Sequence, residues 1–404
     1  MVFVLGVILF ALGITVSIAL HEAGHMWTAR ATGMKVRRFF IGFGPKVFSF
    51  RRGETEYGLK AIPAGGFCDI AGMTAIDELE PDEIDRAMYR QKTWKRLVVM
   101  LGGIGMNFVL GFLLIFTLAV GWGLPNLNPP TGAMVGEMPC VTPTQNDNLS
   151  FPKCVGEGPA FIAGIRQGDV ITSVNGTETP EFADVVAATQ PLSGTIDFVV
   201  ERDGKELTFP VQVQRVQRFV SDGTETGRRS ETVGAVGVQL ERFEPTQYNP
   251  LAAIPASVAF TGDMFAETAH RLVQMPSKVA DLWTSVTGGA RDVDTPISVV
   301  GASVIGGQLV ERSMWQVFVL LLASLNFFLG IFNLLPLLPL DGGHMAVTIY
   351  ERIRNFFRNR RGLPNGGPVD YMKLMPVTYV VIVLGGAYML LTLTADIVNP
   401  IQLF

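Results

Sequence analysis

The chain is expected to fold as a polytopic α-helical membrane protein, with four transmembrane helices and one soluble domain between the second and third. Three observations predict this. Four long stretches, at residues 2–20, 97–125, 313–340 and 374–395, carry no charged residue, and a helix crossing a bilayer needs about 20 apolar residues. The composition is 48% hydrophobic and only 17% charged, with a mean hydropathy of +0.34, where a soluble domain carries about 25% charged residues. Basic residues gather in two segments, 30–96 and 345–373, which the positive-inside rule assigns to the cytoplasm. The net charge of −4 gives no reason to expect nucleic acid as a partner.

The first span lacks a basic leader and a small-residue cleavage site, so it reads as a retained helix running to about Ala29. Its end carries His21, Glu22 and His25 in the spacing His-Glu-x-x-His. On a helix, positions i and i+4 share one face. Two imidazoles there can grip one Zn²⁺, and the glutamate between them can reach its water. A histidine in an apolar helix can also be a hydrogen-bonded core group. Glu22 favours the metal reading, because an ionisable residue beside an apolar span costs on the order of 3 kcal/mol and marks function by default.

Residues 30–96 hold 13 Lys/Arg against 9 Asp/Glu. Within them, residues 39–50 and 55–62 read as two β segments around a turn at Arg51-Arg52-Gly53-Glu54. A hairpin this apolar beside a membrane helix can dip into the bilayer only where protein covers its edge; otherwise it is a small soluble β subdomain. The acidic run at 77–85 reads as a solvated face, and Cys68 as an unpaired thiol. The second span contains Gly102-Gly103-Ile104-Gly105-Met106-Asn107, whose small residues permit close helix approach. Asn107 must find a polar partner there, either in helix packing or near the metal.

Residues 126–250 form the part expected outside. Cys140 and Cys154 both fall here, and an oxidising compartment would permit a disulfide. A-G-I-R-Q-G-D-V-I-T-S-V-N-G at 163–176 is followed by a helical pattern at 182–190 and by two strands at 196–213 around Asp203-Gly204. This part resembles a PDZ domain, a fold that binds extended peptide ends at a sheet edge. Residues 221–230 read as a connector or hairpin tip. Residues 254–275 read as an amphipathic helix with His270 on its surface, and 296–310 as an uncharged stretch too short to span.

The third span ends in N-L-L-P-L-L-P-L-D-G-G-H at 333–344. Two prolines and two glycines break the helix where a lone carboxylate appears, which makes Asp341 the natural third ligand. His344 is the alternative ligand, or else a group that supports the ligands, as Asn107 can be. The second basic segment then leads into the fourth span. Four spans place both termini outside and the metal site towards the cytoplasmic side.

The chain resembles the bacterial site-2 protease family of intramembrane zinc metalloproteases, in its PDZ-containing branch. The residues that carry the resemblance are H-E-A-G-H at 21–25, the F-F-I-G-F-G-P…Y-G-L-K-A-I-P-A-G-G-F block at 39–67, the single PDZ insertion, and N-L-L-P…L-D-G-G-H at 333–344. It implies His21, His25 and Asp341 as zinc ligands, Glu22 as catalytic base and Asn333 as a group on the substrate backbone or oxyanion. It also implies that the 35–68 region is a membrane re-entrant β-hairpin that offers an edge strand to substrate. Two departures stand out: Ile104 replaces a proline of the second-span motif, and a Pro-x-Pro becomes Pro336-x-x-Pro339. The implied organisation is spans 1 and 2 in 1–125, a PDZ domain in 126–215, an extracytoplasmic connector in 216–312, and spans 3 and 4 in 313–404. The implied activity is second-step cleavage of single-span proteins in the bacterial cell membrane, such as anti-sigma factors already trimmed by an upstream site-1-type protease. The rival reading is a non-catalytic PDZ membrane adaptor with a structural metal site, which would have no need of Glu22. A metal transporter would need more polar groups along the spans than the sequence has.

Overall fold

The first unit of the chain, Met1–Leu124 with Thr246–Phe404, opens with α1 (Val2–Ala31), β1 (Val36–Arg52), β2 (Thr55–Ile70) and α2 (Thr93–Gly121). The second, Pro125–Pro245, holds β3 (Ala133–Met134), α3 (Pro159–Ala163), β4 (Val170–Val174), β5 (Thr177–Glu178), α4 (Phe182–Thr189), β6 (Gly194–Arg202), β7 (Lys205–Ser221) and β8 (Arg228–Ala235). The chain then returns to the first unit with α5 (Pro250–Gln274), α6 (Val279–Val286), α7 (Val299–Glu311), α8 (Trp315–Asn333), α9 (Asp341–Arg360) and α10 (Met375–Val398). This computed structural model describes residues 1–127, 132–146, 151–221, 228–241, 244–292 and 294–401.

Among the described residues, four helices are long and apolar enough to cross a membrane: α1, α2, α8 and α10. The third ends at Asn333, seven residues short of the uncharged run's end at Leu340. Pro336 and Pro339 cannot continue a helix, since each lacks an N–H and crowds the preceding turn. The short uncharged stretch near 300 becomes α7, 13 residues long. It packs on α1, where a Cβ on Gly6 would lie 2.8 Å from Val310 Cβ. Inside the bundle, Asn326 Nδ2 on α8 donates to Ser17 Oγ on α1 at 3.0 Å, and both residues are fully buried. Such a pair joins helices for which apolar matching with lipid gives no drive to associate.

β1 and β2 form more than a simple hairpin. Residues 38–41 are flanked on both sides, by 56–59 (Arg38 with Glu56, Ile41 with Leu59) and by 66–69 (Arg38 with Asp69, Ile41 with Gly66). Residues 48–52 pair in turn with 55–59 on their other side. The chain bends at Gly42 and Gly44, whose φ values of 88° and 82° lie where glycine is favoured. Among the described residues, the 66–70 stretch therefore has strand pairing on one side only.

A buried ionic knot closes the far end of α10. Arg291 donates to Asp396 Oδ1 at 2.6 Å, to the Asn399 and Pro296 carbonyls and to Thr295 Oγ1, while Asp396 Oδ2 accepts Ser298 N–H at 2.6 Å. Both charged side chains are 3% exposed. Removing one partner of such a pair leaves a bare buried charge, so Arg291→Ala is expected to cost about 3–5 kcal/mol. Denaturant unfolding in detergent, followed by tryptophan emission, measures it.

The second unit is built on a six-stranded sheet in the order β3-β4-β6-β7-β8, with β5 on β4. Two-residue Asn175-Gly176 and Asp203-Gly204 turns, all four residues at positive φ, close its tight hairpins. Ala160 and Ile165 from around α3, Val185 from α4 and Ile171, Phe198 and Val211 from the sheet form its buried core. Arg202 forks onto Asp169, which also caps Arg166 N–H. Cys140 and Cys154 are disulfide-bonded. Of the connector or tip read at 221–230, residues 222–227 lie outside the described residues; its ends pair as a hairpin, Ser221 with Arg228.

Candidate active site

α1 carries His21, Glu22 and His25 on its last turns, and the start of α9 brings Asp341 to them. His21 Nε2 lies 3.1 Å from His25 Nε2, and each lies 3.2 Å from Asp341 Oδ2. Asp341 can enter because the 334–340 turn folds back on the start of α9. A Cβ on Gly342 would sit 2.3 Å from Leu335 O, and one on Gly343 would sit 2.6 Å from Leu337 C, so only glycines fit after the aspartate.

The histidines are aimed from behind. His25 Nδ1 donates to Val99 O of α2 at 2.8 Å, which leaves its Nε2 as a lone-pair donor. His21 Nδ1 lies 3.1 Å from the side-chain amide of Asn107, which is 1% exposed and whose Oδ1 has no other partner. With that amide turned so that Oδ1 accepts the Nδ1–H, His21 also presents a free Nε2, and the buried orphan oxygen is satisfied. Asp341 Oδ2 is likewise buried without a hydrogen-bond donor. Three lone pairs thus face one another, an arrangement that a cation relieves. Ligands about 2.0–2.1 Å from a tetrahedral Zn²⁺ lie roughly 3.3 Å apart, so the observed spacing and the N₂O donor set fit that ion. Asn107→Leu is expected to weaken metal affinity about 10–100-fold, read by competition with a chromogenic chelator.

Close helix contact makes this geometry possible. A Cβ on Gly24 would come 2.2 Å from Gly102 O, and one on Gly103 would come 2.3 Å from His25 Nε2. The sequence marked 102–103 as a packing surface, but not its position against a ligand. Glu22 sits within electrostatic reach of His21, His25 and Asp341. The 66–70 stretch passes beside it: a Cβ on Gly66 would lie 3.1 Å from Glu22 Cγ. Sequence reasoning missed Gly66 as a site residue, although its Gly-Gly pair before Phe67 hints at a close backbone approach.

Two other candidates lie apart from these contacts. Asn333 Nδ2 donates to Leu329 O at 3.0 Å within α8. His344, one turn beyond Asp341, faces Tyr371, whose hydroxyl lies 3.1 Å from its Nδ1. Burial pushes the Tyr371 phenol up to about 12 and lowers His344, so a neutral imidazole accepts from an intact phenol. His270 is exposed on α5 beside Gln274. Among the described residues, the His21, His25 and Asp341 group is the metal-compatible cluster.

A family model described as Peptidase family M50 matches residues 9–376. The chain is 53% identical over 404 residues to the zinc metalloprotease Rip1 of Mycobacterium bovis, covering all of both chains. It is 53% identical over 409 residues to Rip1 of Mycolicibacterium smegmatis, again covering both in full. The metalloprotease MmpA of Caulobacter vibrioides is 29% identical over 379 residues, 86% of each chain. With a donor triad at the end of one apolar helix, a glutamate beside it and four candidate spans, the chain belongs to peptidase family M50, the site-2 proteases, as a multi-pass membrane metalloprotease.

Proposed function

We propose that this protein is a zinc endopeptidase that cuts within, or at the edge of, the transmembrane helix of single-span membrane proteins. The observation that supports this best is the meeting of His21, His25 and Asp341 beside Glu22 and the 66–70 strand, among apolar helices. His21, His25 and Asp341 would hold the ion. Zn²⁺ bound there would supply a Lewis acid and lower the pKa of water to about 7. Glu22 takes the proton of the attacking water and passes it to the leaving amine nitrogen. Asn333, released from Leu329 O, would donate to the oxyanion.

A helical substrate hides its carbonyls in its own hydrogen bonds, so it must unwind to be cut. The free edge at 66–70 offers backbone groups to the unwound strand, in the manner of β-strand addition. Phe43, Phe48, Leu59 and Ile62 on the β1–β2 structure are 46%, 60%, 44% and 54% exposed, which suits a re-entrant element meeting acyl chains. In this reading the basic segments face the cytoplasm, the site lies towards that side, and the Pro125–Pro245 unit carries an extracytoplasmic PDZ domain at 126–215. That domain senses whether an upstream protease has trimmed the substrate, an anti-sigma factor or a protein like it, by excluding bulky ectodomains or by holding the new tail.

Reconstitution in liposomes with paired substrates tests this. A span with Gly or Pro near the cut is expected to be cleaved at least about tenfold faster than an all-leucine span, since a Pro in a helix costs about 3 kcal/mol. Equal rates on both would sink the unwinding requirement. Deleting residues 130–215 is expected to release cleavage of untrimmed substrates, and continued refusal of them would end the gating role.

A further inference from the structure

The surface of α9 beyond the active site is divided in a way the protease reading does not use. Ile349, Tyr350, Ile353, Phe356 and Phe357 are 43–56% exposed. At 100° per residue they share one arc of the helix. Thr348 and Glu351 on another face are buried. Arg352, Arg354, Arg358 and Arg360 follow on the same helix, and Arg361 comes directly after it. The Arg354 guanidinium, at the margin of the arc, lies 5.8 Å over Tyr350, and that of Arg360, on the arc at the helix's last residue, lies 4.5 Å over the Phe356 ring, where a long side chain can lift its charge towards water.

These charges find no acid on their own helix. Its two carboxylates are engaged elsewhere: Asp341 at the triad, and Glu351 with Arg96 at 2.5 Å and the Val369 N–H at 2.7 Å. The Arg96 contact also fixes depth. Arg96 is the last charged residue before the apolar run of α2, and Trp94 beside it is 56% exposed, as an aromatic at a membrane interface is. Glu351 is held at that level, and α9 continues from it for nine residues, to Arg360.

We propose that the second half of α9 is an interfacial helix that docks on anionic phospholipid, with its aromatic arc in the acyl boundary and Arg352, Arg360 and Arg361 on the phosphates, while Arg354 and Arg358 hold the Gly367 and Pro364 carbonyls. Charge complementarity and amphipathic division are what such a surface requires. Docking holds the far end of the helix whose first residue is Asp341, while Arg96 holds its middle.

The test uses the full chain in a Cys68→Ser background, with an environment-sensitive fluorophore on Phe357→Cys, or on Asn359→Cys outside the arc. The vesicles are phosphatidylcholine alone or with about one third phosphatidylglycerol. The label at 357 is expected to be quenched by spin-labelled lipid, more so with phosphatidylglycerol, and the label at 359 by aqueous iodide. Joint Arg352→Gln, Arg360→Gln and Arg361→Gln changes are expected to lower the docked-to-undocked ratio about fivefold per arginine, and high salt to do the same. Iodide quenching at 357 in both vesicles would overturn the proposal. So would lipid quenching indifferent to phosphatidylglycerol and to the arginines. Shielding that grows with protein density at fixed lipid would assign the face to a second copy and would also overturn it.

Discussion

Glu22→Ala is expected to abolish cleavage of a single-span substrate while leaving the metal in place. The side chain lies on α1 between the two histidines, yet it is not part of the converging triad. Alanine is the strongest helix former, so α1 should persist with His21 and His25 on their face. Gly66 approaches Glu22 Cγ without side-chain interlock, so truncation opens space without breaking a packed contact. What is lost is a proton acceptor at the attacking water, which is typically worth about 10²–10⁴ in rate. Metal content by elemental analysis, beside cleavage in proteoliposomes, separates the outcomes. Metal retained with cleavage gone identifies the base. A rate within about tenfold of the unaltered protein would place the base elsewhere.

How much of this was legible in the sequence depends on where each partner lies along the chain. His21, Glu22 and His25 are within one turn and a third of helix, so their spacing alone puts the histidines on one face. Asp341 is distant, but a lone carboxylate at a doubly broken apolar run has few other uses. The second-span glycines were readable as a packing surface because close approach needs no knowledge of the partner. Pairs whose members are both unremarkable were not readable. Arg96 with Glu351, Asn326 with Ser17 and Arg291 with Asp396 are 255, 309 and 105 residues apart, and no periodicity marks any of them. The β segments at 39–50 and 55–62 were seen from composition and alternation. The third pairing at 66–69 was not, because only tertiary contact with residues 38–41 makes that stretch a strand. The end of the third helix was legible: absence of charge extends past Asn333, but two prolines and two glycines mark a break there, and α8 ends at Asn333.

Asp341→Ala should give the opposite signature to Glu22→Ala, losing metal and cleavage together. Two imidazoles held by Val99 and Asn107 keep their aim without the carboxylate, but they offer only two of the three donors that hold a catalytic zinc. The loss in affinity should exceed the roughly 10–100-fold cost of removing a supporting group such as Asn107. The readout need not be activity. An ion that binds only the folded state stabilises it by RT ln(1 + [L]/Kd), about 2.7 kcal/mol at 100 Kd, so chelator should lower the Tm of the unaltered protein and leave that of Asp341→Ala unmoved. His344→Phe is the control, since its imidazole faces Tyr371 and the variant should keep the chelator-sensitive Tm. If Asp341→Ala still binds metal tightly and His344→Phe does not, the third ligand is His344 and the helix start must turn about 60° to bring it in, as an offset of three residues on a 3.6-residue helix requires. If neither change affects binding, the ion sits elsewhere, and the unsatisfied Asp341 oxygen needs another explanation.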